Sequence, residues 1–524
     1  MTESSSASAG YESRTVGILL GSVFVVAICG LVYELIAGAL ASYLLGDSIT
    51  QFSIVIGVFL TSMGVGSFLS RFVRKHLLFT FVAVEIGVGL VGGFSALLGF
   101  AAFAYLSQYS IVLLGSVVAV GVLVGLEIPL VLRILKETDT LRVTAANVLG
   151  LDYFGALVAS MAFPFFLLPV CGIVRSGLFT GLLNLGVGAI LLRVFGPSMK
   201  SGRRWLWATI FVGTAALIMA LVFAGRFVSH LENRSYQDEV IFAKTSAYQR
   251  IVLTRWRGDL RLYLNGHLQF SSVDEYRYHE ALAHPALASA ENPRQVLILG
   301  GGDGLLAREV LKHPGIQSVT IVDLDAAVTD LFKSTKMLTD LNHDSLNDAR
   351  VRIVNEDAFK FLDDSESMYD VVLADLPDPS TPALSKLYSR SFYTLIGRHL
   401  ADGGTFATQA TSPFRSREAF WCIAHTLDAT PLPAATSTTF QVAPYQLSVP
   451  TFGTWGFVLA SRRKIRPAAI LLNDKIETRF LTESTLPSLF VIPKDMGSVK
   501  TPINLLNDPC IGNLYRRGYN RYLH

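Results

Sequence analysis

The sequence predicts two unlike halves: a multi-pass α-helical membrane domain of about seven spans, then an α/β unit. The α/β unit is expected to join a small N-terminal β-hairpin subdomain to a Rossmann-like doubly wound sheet. Three observations carry this expectation. Charged residues make up 16% of the 524-residue chain, against about 25% in an ordinary soluble domain, and the deficit falls on residues 15–228. Residues 229–290 read as β-rich and carry the hairpin signal Asn265-Gly266. From residue 294 onward, β-branched runs alternate with helical stretches, the pattern of a mostly parallel sheet. The expected domains are therefore 1–228 (transmembrane), 229–290 (β-rich), 291–465 (nucleoside-binding) and 466–524, an extension without a readable motif.

A membrane crossing takes roughly 20 apolar residues. Residues 16–44, 49–70, 78–104, 110–134, 147–170, 176–195 and 205–228 meet that length. The first stretch is longer than a signal-peptide core and lacks a small-residue cleavage site, so it is expected to remain as a span. Runs such as Gly64-Val65-Gly66-Ser67 suit closely packed helices. The N-terminus and alternate loops hold Arg14, Arg71, Arg74, Lys75, Lys136, Arg142, Lys200, Arg203 and Arg204, while the opposite short loops hold Arg175. Positive charge marks the cytoplasmic side, and an odd span count would then carry the α/β unit outward. A cytosolic substrate requires the reverse, so the side of the cell membrane on which this unit lies stays open.

Glu34, Glu85, Glu127 and Asp152 fall within or at the ends of these spans. Charge in hydrocarbon is costly and usually faces a bundle interior or cavity. Glu34, in Tyr33-Glu34, and Glu127, in Glu127-Ile128-Pro129, are the candidates for a substrate or proton path; interhelical hydrogen bonding is the alternative. The net charge of +3, without a long basic run, gives no nucleic-acid signal. Cys29, Cys171, Cys422 and Cys510 lack CxxC spacing, so neither a metal site nor a disulfide framework is expected.

In a doubly wound sheet the ligand lies beyond the carboxyl ends of the strands. The expected strands are Gln295–Leu299, Ser318–Asp323, Val351–Val354, Tyr369–Ala374, Thr405–Gln409 and about Gly456–Ala460. The first runs into Gly300-Gly301-Gly302-Asp303-Gly304, where glycines allow a tight turn and a close ligand. The second ends at Asp323, about 20 residues on, where an acid binds ribose hydroxyls. Asp357 follows the third strand, placed for a base amino group, and Asp375-Leu376-Pro377-Asp378-Pro379 follows the fourth. Alone, the glycine run fits any nucleoside-binding domain. A turn role for Asp303 and a helix cap at Asp323 are the simpler alternatives.

The acids narrow the chemistry. A carboxylate at Asp303 repels the amino-acid tail of S-adenosylmethionine and attracts a tail that keeps the amine but lacks the carboxylate. Decarboxylated S-adenosylmethionine has that tail. Asp375 and Asp378 add negative charge that suits a polycationic acceptor. A primary amine is protonated at neutral pH, and a carboxylate in reach can take its proton as general base. Asp375 is the candidate, with Asp378 and Tyr278 orienting the amine.

These residues strongly resemble the spermidine synthase family over about 240–460. The matching stretches include Tyr248-Gln249-Arg250-Ile251, Leu264-Asn265-Gly266, Asp274 to Glu280, His284-Pro285, Val296 to Gly304, Arg308-Glu309-Val310, Lys312-His313-Pro314, Asp357-Ala358, Asp375 to Pro379 and Leu387 to Tyr393. The apolar half, with Gly30-Leu31-Val32-Tyr33-Glu34, looks like the membrane-attached branch of that family. The resemblance implies a polyamine aminopropyltransferase that releases methylthioadenosine, with no tightly bound cofactor and, by analogy, a homodimer. It implies that Gln249, Asp323 and Asp357 hold decarboxylated S-adenosylmethionine beside Gly300 and Gly302, with Asp303 on its aminopropyl amine. It further implies an amine site of Tyr278, His279, Asp375 and Asp378, with Asp375 as proton acceptor.

Two departures concern the acceptor. Leu376 and Pro377 stand where the family's acidic loop has small hydroxyl residues, and Pro450-Thr451-Phe452 lacks a tyrosine hydroxyl at its last position. Putrescine as acceptor is therefore left open. So are another reaction on an adenosyl sulfonium, with a different acceptor or as a lyase, and a membrane transporter or sensor that binds methylthioadenosine or a polyamine.

Overall fold

The computed structural model describes residues 3–45, 48–106, 108–135, 141–199, 202–236, 238–432, 439–473 and 475–521, in two compact units, Met1–Val240 and Ile241–His524. The first unit is helical: α1 (Glu3–Leu45), α2 (Ser48–Leu69), α3 (Leu77–Tyr105), α4 (Tyr109–Leu135), α5 (Leu141–Ala162), α6 (Leu168–Phe195) and α7 (Arg203–Ser235). Among the described residues, six stretches are long and apolar enough to cross a membrane. The expected spans 147–170 and 176–195 fall in one of them, the 51-residue run Ala145–Phe195. The reason is local. The expected loop after residue 171 contracts to a single non-helical residue, Gly172 (φ 74°, ψ 171°), and helix resumes at once. Lys136 and Lys200, used above for orientation, lie outside the described residues.

Small residues set how closely these helices pack. A Cβ on Gly66 would stand 2.0 Å from the Val122 carbonyl oxygen, and one on Gly125 would stand 2.1 Å from that of Met63. The backbones of α2 and α4 therefore touch where larger side chains would force them apart.

The second unit opens with an antiparallel sheet of β1 (Glu239–Thr245), β2 (Arg250–Trp256), β3 (Asp259–Leu264) and β4 (His267–Ser271). Asn265 (φ 51°) and Gly266 (φ 80°) join β3 to β4. Both are left-handed, as a two-residue hairpin turn of the strand-matched hand demands. Then follow α8 (Glu275–Ser289), β5 (Gln295–Gly300), α9 (Leu305–Leu311), β6 (Ser318–Val322), α10 (Ala326–Ser334), α11 (Lys336–Leu341), β7 (Val351–Val354) and α12 (Ala358–Asp364). The chain continues through β8 (Tyr369–Asp375), α13 (Pro382–Ser385), α14 (Arg390–His399), β9 (Leu400–Gln409) and α15 (Arg417–Asp428). It closes with β10 (Gln441–Val449), β11 (Gly453–Ser461), α16 (Thr485–Leu489) and α17 (Ile511–Asn520).

The main sheet has the order β10-β11-β9-β8-β5-β6-β7. Its pairs from β9 to β7 are parallel, and β11 and β10 add an antiparallel edge. Strand periodicity sorts the core into two layers. Val296, Ile298, Val371 and Leu373 pack on one face, and Leu297, Leu299, Val372 and Ala374 pack on the other. β10 was not expected, because Pro444 interrupts its pattern; as the outermost strand it can spare that amide. The segment after β11 is tied into this unit. The Glu280 carboxylate accepts the backbone N–H groups of Arg479, Phe480 and Leu481 at 2.6–3.0 Å.

Candidate active site

The sheet changes winding direction between β5 and β8, and there Gly300 pairs in parallel register with Asp375. Such a switch point opens a crevice at the strand ends. Gly300, Gly301 and Gly304 have φ of 84°, 67° and 76°, which glycine alone adopts without strain. A Cβ on Gly300 would lie 2.0 Å from the Asp375 carbonyl oxygen, and one on Gly302 would lie 2.6 Å from Oδ2 of Asp323. The loop is thus built flush against both acids.

Asp323 accepts Gly302 N–H at 3.0 Å and Asp325 N–H at 2.9 Å. Burial pushes its carboxyl up to about 6. The cap of α10 is Asp325 rather than Asp323, through a 3.0 Å bond from Ala327 N–H. Asp325 also receives Ser246 Oγ at 2.6 Å and Gln249 Nε2 at 3.0 Å. Gln249 is brought to the crevice from the small sheet in this way. Sequence reasoning missed Asp325, although the spacing Asp323-Leu324-Asp325 before a helical run was a visible cap signal.

Asp303 carries its turn role, with Oδ1 accepting Leu305 N–H at 2.9 Å at the start of α9. Burial nonetheless pushes its carboxyl up to about 6. Asp357 caps α12 through Phe359 N–H at 2.8 Å, and Lys386 Nζ lies 2.6 Å from its other oxygen. Burial would raise the Asp357 carboxyl, but the Lys386 ammonium outweighs it and holds the group below its ordinary value. Lys386, distant in sequence, gave no local signal.

Tyr278 and His279 project from α8. Tyr278 donates to Asp375 Oδ1 at 2.7 Å, and His279 Nε2 stands 4.0 Å from Oδ2. His279 Nδ1 is 2.7 Å from Glu275, whose two oxygens also accept a two-pronged 2.9 Å pair from Arg308. Burial disfavours the charged imidazole, but its bond to Glu275 outweighs this and raises it to about 9. His279 is then an imidazolium at neutral pH, beside Asp375 and within electrostatic range of Asp303. Glu275 and Arg308 lie in stretches that carry the family resemblance, but no site role was expected of either.

Asp378 is reached from outside the strand-end set. Tyr515, on α17, donates to Oδ2 at 2.9 Å, and Gln409 Nε2 lies 3.4 Å from Oδ1. Burial pushes the Asp378 carboxyl up to about 6. Phe452, at the position without a tyrosine hydroxyl, stands edge-on to Tyr278 with ring centroids 6.4 Å apart.

In the helical unit, Glu34 is half-buried, while Glu85 and Glu127 are buried. Glu127 lies within electrostatic range of Glu85 and Asp152. Both Glu85 carboxylate oxygens, one of Glu127, the Tyr33 hydroxyl and the Asn184 amide make no hydrogen bond among the described residues. No group of three metal-ligating side chains occurs among the described residues.

The class defined by this geometry is a Rossmann-like domain with a cluster of acidic side chains at its switch point. Residues 275–469 match the spermine/spermidine synthase domain. Over 96% of its length the chain is 44% identical to a polyamine aminopropyltransferase of Leptospira interrogans, covering 98% of that protein. Polyamine aminopropyltransferase 2 of Ralstonia nicotianae is 44% identical over 98% of the chain, and the Mycobacterium tuberculosis enzyme is 38% identical over 96%, with 100% and 96% of those proteins covered. A solved spermidine synthase in complex with the transition-state analogue AdoDATO aligns with 49% of this chain and 88% of its own, at 25% identity and a TM-score of 0.44. The chain belongs to the polyamine aminopropyltransferase family.

Proposed function

We propose that this protein transfers the aminopropyl group of decarboxylated S-adenosylmethionine to an amine acceptor. The observation that carries the reading is the meeting of Asp303, Asp323 and Asp375 at the ends of three neighbouring strands, with Asp375 held by Tyr278. Asp323 suits the ribose hydroxyls and Asp357 the base, with Gln249 closing the crevice from the small sheet. Asp303 suits the ammonium of the aminopropyl tail. Binding at Asp357 would replace the Lys386 contact on that carboxylate.

In the reaction, the neutral amine nitrogen attacks the propyl carbon bonded to sulfur. The new C–N bond forms as the C–S bond breaks, and its electron pair stays on sulfur, leaving neutral methylthioadenosine. Asp375 takes the amine proton, and Tyr278 fixes the carboxylate for that transfer. His279, as an imidazolium locked by Glu275, balances the charge of the acidic cleft and orients Asp375. The leaving group is uncharged and needs no acid, so alignment of the two substrates supplies much of the rate. Asp378 suits a second ammonium of the acceptor, for which putrescine is the simplest candidate.

The helical unit is proposed to anchor the enzyme in a lipid bilayer. A run of 51 residues exceeds the roughly 20 residues that one crossing takes. A reversal at Gly172 would give seven spans. The test of the activity is methylthioadenosine release from decarboxylated S-adenosylmethionine by purified protein with a panel of amines. Release that depends on an amine supports transfer. Release without one indicates a lyase, and tight binding without release indicates a sensor.

A further inference from the structure

We infer that Tyr515, on the C-terminal helix α17, is a positioning residue for the acceptor amine, acting through Asp378. The inference rests on the aminopropyl-transfer reading and extends it to a helix outside the matched domain, residues 275–469. Asp378 is half-buried beside the acidic cleft, and its closest side-chain donor among the described residues is the Tyr515 hydroxyl at 2.9 Å, against 3.4 Å for Gln409. A hydrogen bond to a carboxylate favours its charged form and fixes its direction. A carboxylate held in this way can meet an ammonium without first reorganising.

The seating of α17 is specific. Glycine inside a helix costs about 1 kcal/mol against alanine, yet α17 has two, and each marks a close approach. A Cβ on Gly512 would stand 3.0 Å from Ser385 Oγ and 3.2 Å from the Pro379 carbonyl oxygen, in the residue directly after Asp378. A Cβ on Gly518 would stand 2.6 Å from Ser416 Cα. Asn504 fastens the start of the helix: its amide donates to the Ser385 carbonyl at 2.9 Å and accepts Cys510 N–H at 3.1 Å. The Tyr519 ring packs on Tyr515 with centroids 4.6 Å apart. The acceptor end of the cleft therefore gains a hydroxyl from α17, while Phe452 offers none.

The groups facing Asp378 are Gln409, Tyr515 and, within electrostatic range, Tyr278, Tyr388 and Tyr519. Removing the Tyr515 donor destabilises the carboxylate and moves its titration upward from about 6.

The experiment compares wild type with Tyr515→Phe, which keeps the ring and should keep Tm. Turnover with decarboxylated S-adenosylmethionine and putrescine is measured from pH 5.5 to 8.5, with putrescine binding measured separately by calorimetry in the presence of methylthioadenosine. The expected result is an acceptor KM and Kd raised about tenfold, as for loss of one hydrogen bond to a charged group, with kcat and the cosubstrate KM within about twofold. The acidic limb of the acceptor kcat/KM should move to higher pH. Unchanged acceptor binding and an unmoved limb would overturn the inference. So would a wild type that binds no putrescine. Wild type that binds putrescine without turnover would sink the transfer reading alone, and the Kd comparison would still decide the role of Tyr515.

Discussion

The Tyr278 hydroxyl donates a 2.7 Å hydrogen bond to Oδ1 of Asp375, joining helix α8 to the end of strand β8. The other Asp375 oxygen faces His279 at 4.0 Å. One carboxylate is thereby oriented from two consecutive residues of a single helix. Asp375→Asn should lower kcat by about 10²–10⁴-fold, the usual worth of a positioned general base, with methylthioadenosine affinity nearly unchanged. Tyr278→Phe keeps the base and loses its orientation, so a drop of about tenfold is expected. Rapid-quench measurement of methylthioadenosine formation checks both.

The pH dependence follows from Asp303 and Asp323, each pushed up to about 6 by burial. Both are charged above that pH and neutral below it, so cosubstrate binding should weaken as pH falls through 6. The stability effect has the opposite sign. A carboxyl whose folded value is raised holds its proton more tightly folded than unfolded, so its contribution is full below pH 4 and lost as pH rises through 6. Calorimetric binding of decarboxylated S-adenosylmethionine at pH 5, 6 and 7.5 checks the first. Bound cosubstrate should raise Tm most at the highest of these values.

Glu275 holds His279 on one side and Arg308 on the other, all three buried. Breaking a buried pair strands the remaining charge and costs about 3–5 kcal/mol. Glu275→Gln should lower stability on that order and drop the His279 titration from about 9. Denaturant melts and NMR titration of the imidazole ring read the two effects separately.

Gly302→Ala would place a methyl 2.6 Å from Oδ2 of Asp323. Either the loop or the acid must move, and the ribose contact proposed for Asp323 would be lost with it. A fall in cosubstrate affinity of about tenfold or more is expected, on the scale of a lost hydrogen bond to a charged group. Gly300→Ala adds left-handed backbone strain of about 1–3 kcal/mol to a 2.0 Å clash with the Asp375 carbonyl, and should lower Tm more than Gly302→Ala does.

What the sequence made legible was whatever depends on neighbours along the chain. The Asn265-Gly266 turn, the parallel strands and the acids at their ends follow from local periodicity and from the rule that ligands sit at strand ends. What it hid depends on contacts between distant segments. Lys386 on Asp357 and Tyr515 on Asp378 join residues 29 and 137 positions apart, and no periodicity encodes such pairs. Helix α17 had a visible signature, with Ile511, Leu514, Tyr515 and Tyr519 on one face, but its two glycines lowered its helical weight. The break expected over Gly172 to Ser176 was located but not measured: the non-helical backbone there is the single residue Gly172.

The central claim is that the cleft selects an adenosyl sulfonium whose tail is a bare ammonium. Competition calorimetry of decarboxylated against ordinary S-adenosylmethionine at pH 7.5 tests it most directly. The decarboxylated form should bind at least about tenfold more tightly, and Asp303→Asn should erase most of that preference. Equal or tighter binding of ordinary S-adenosylmethionine would contradict the claim.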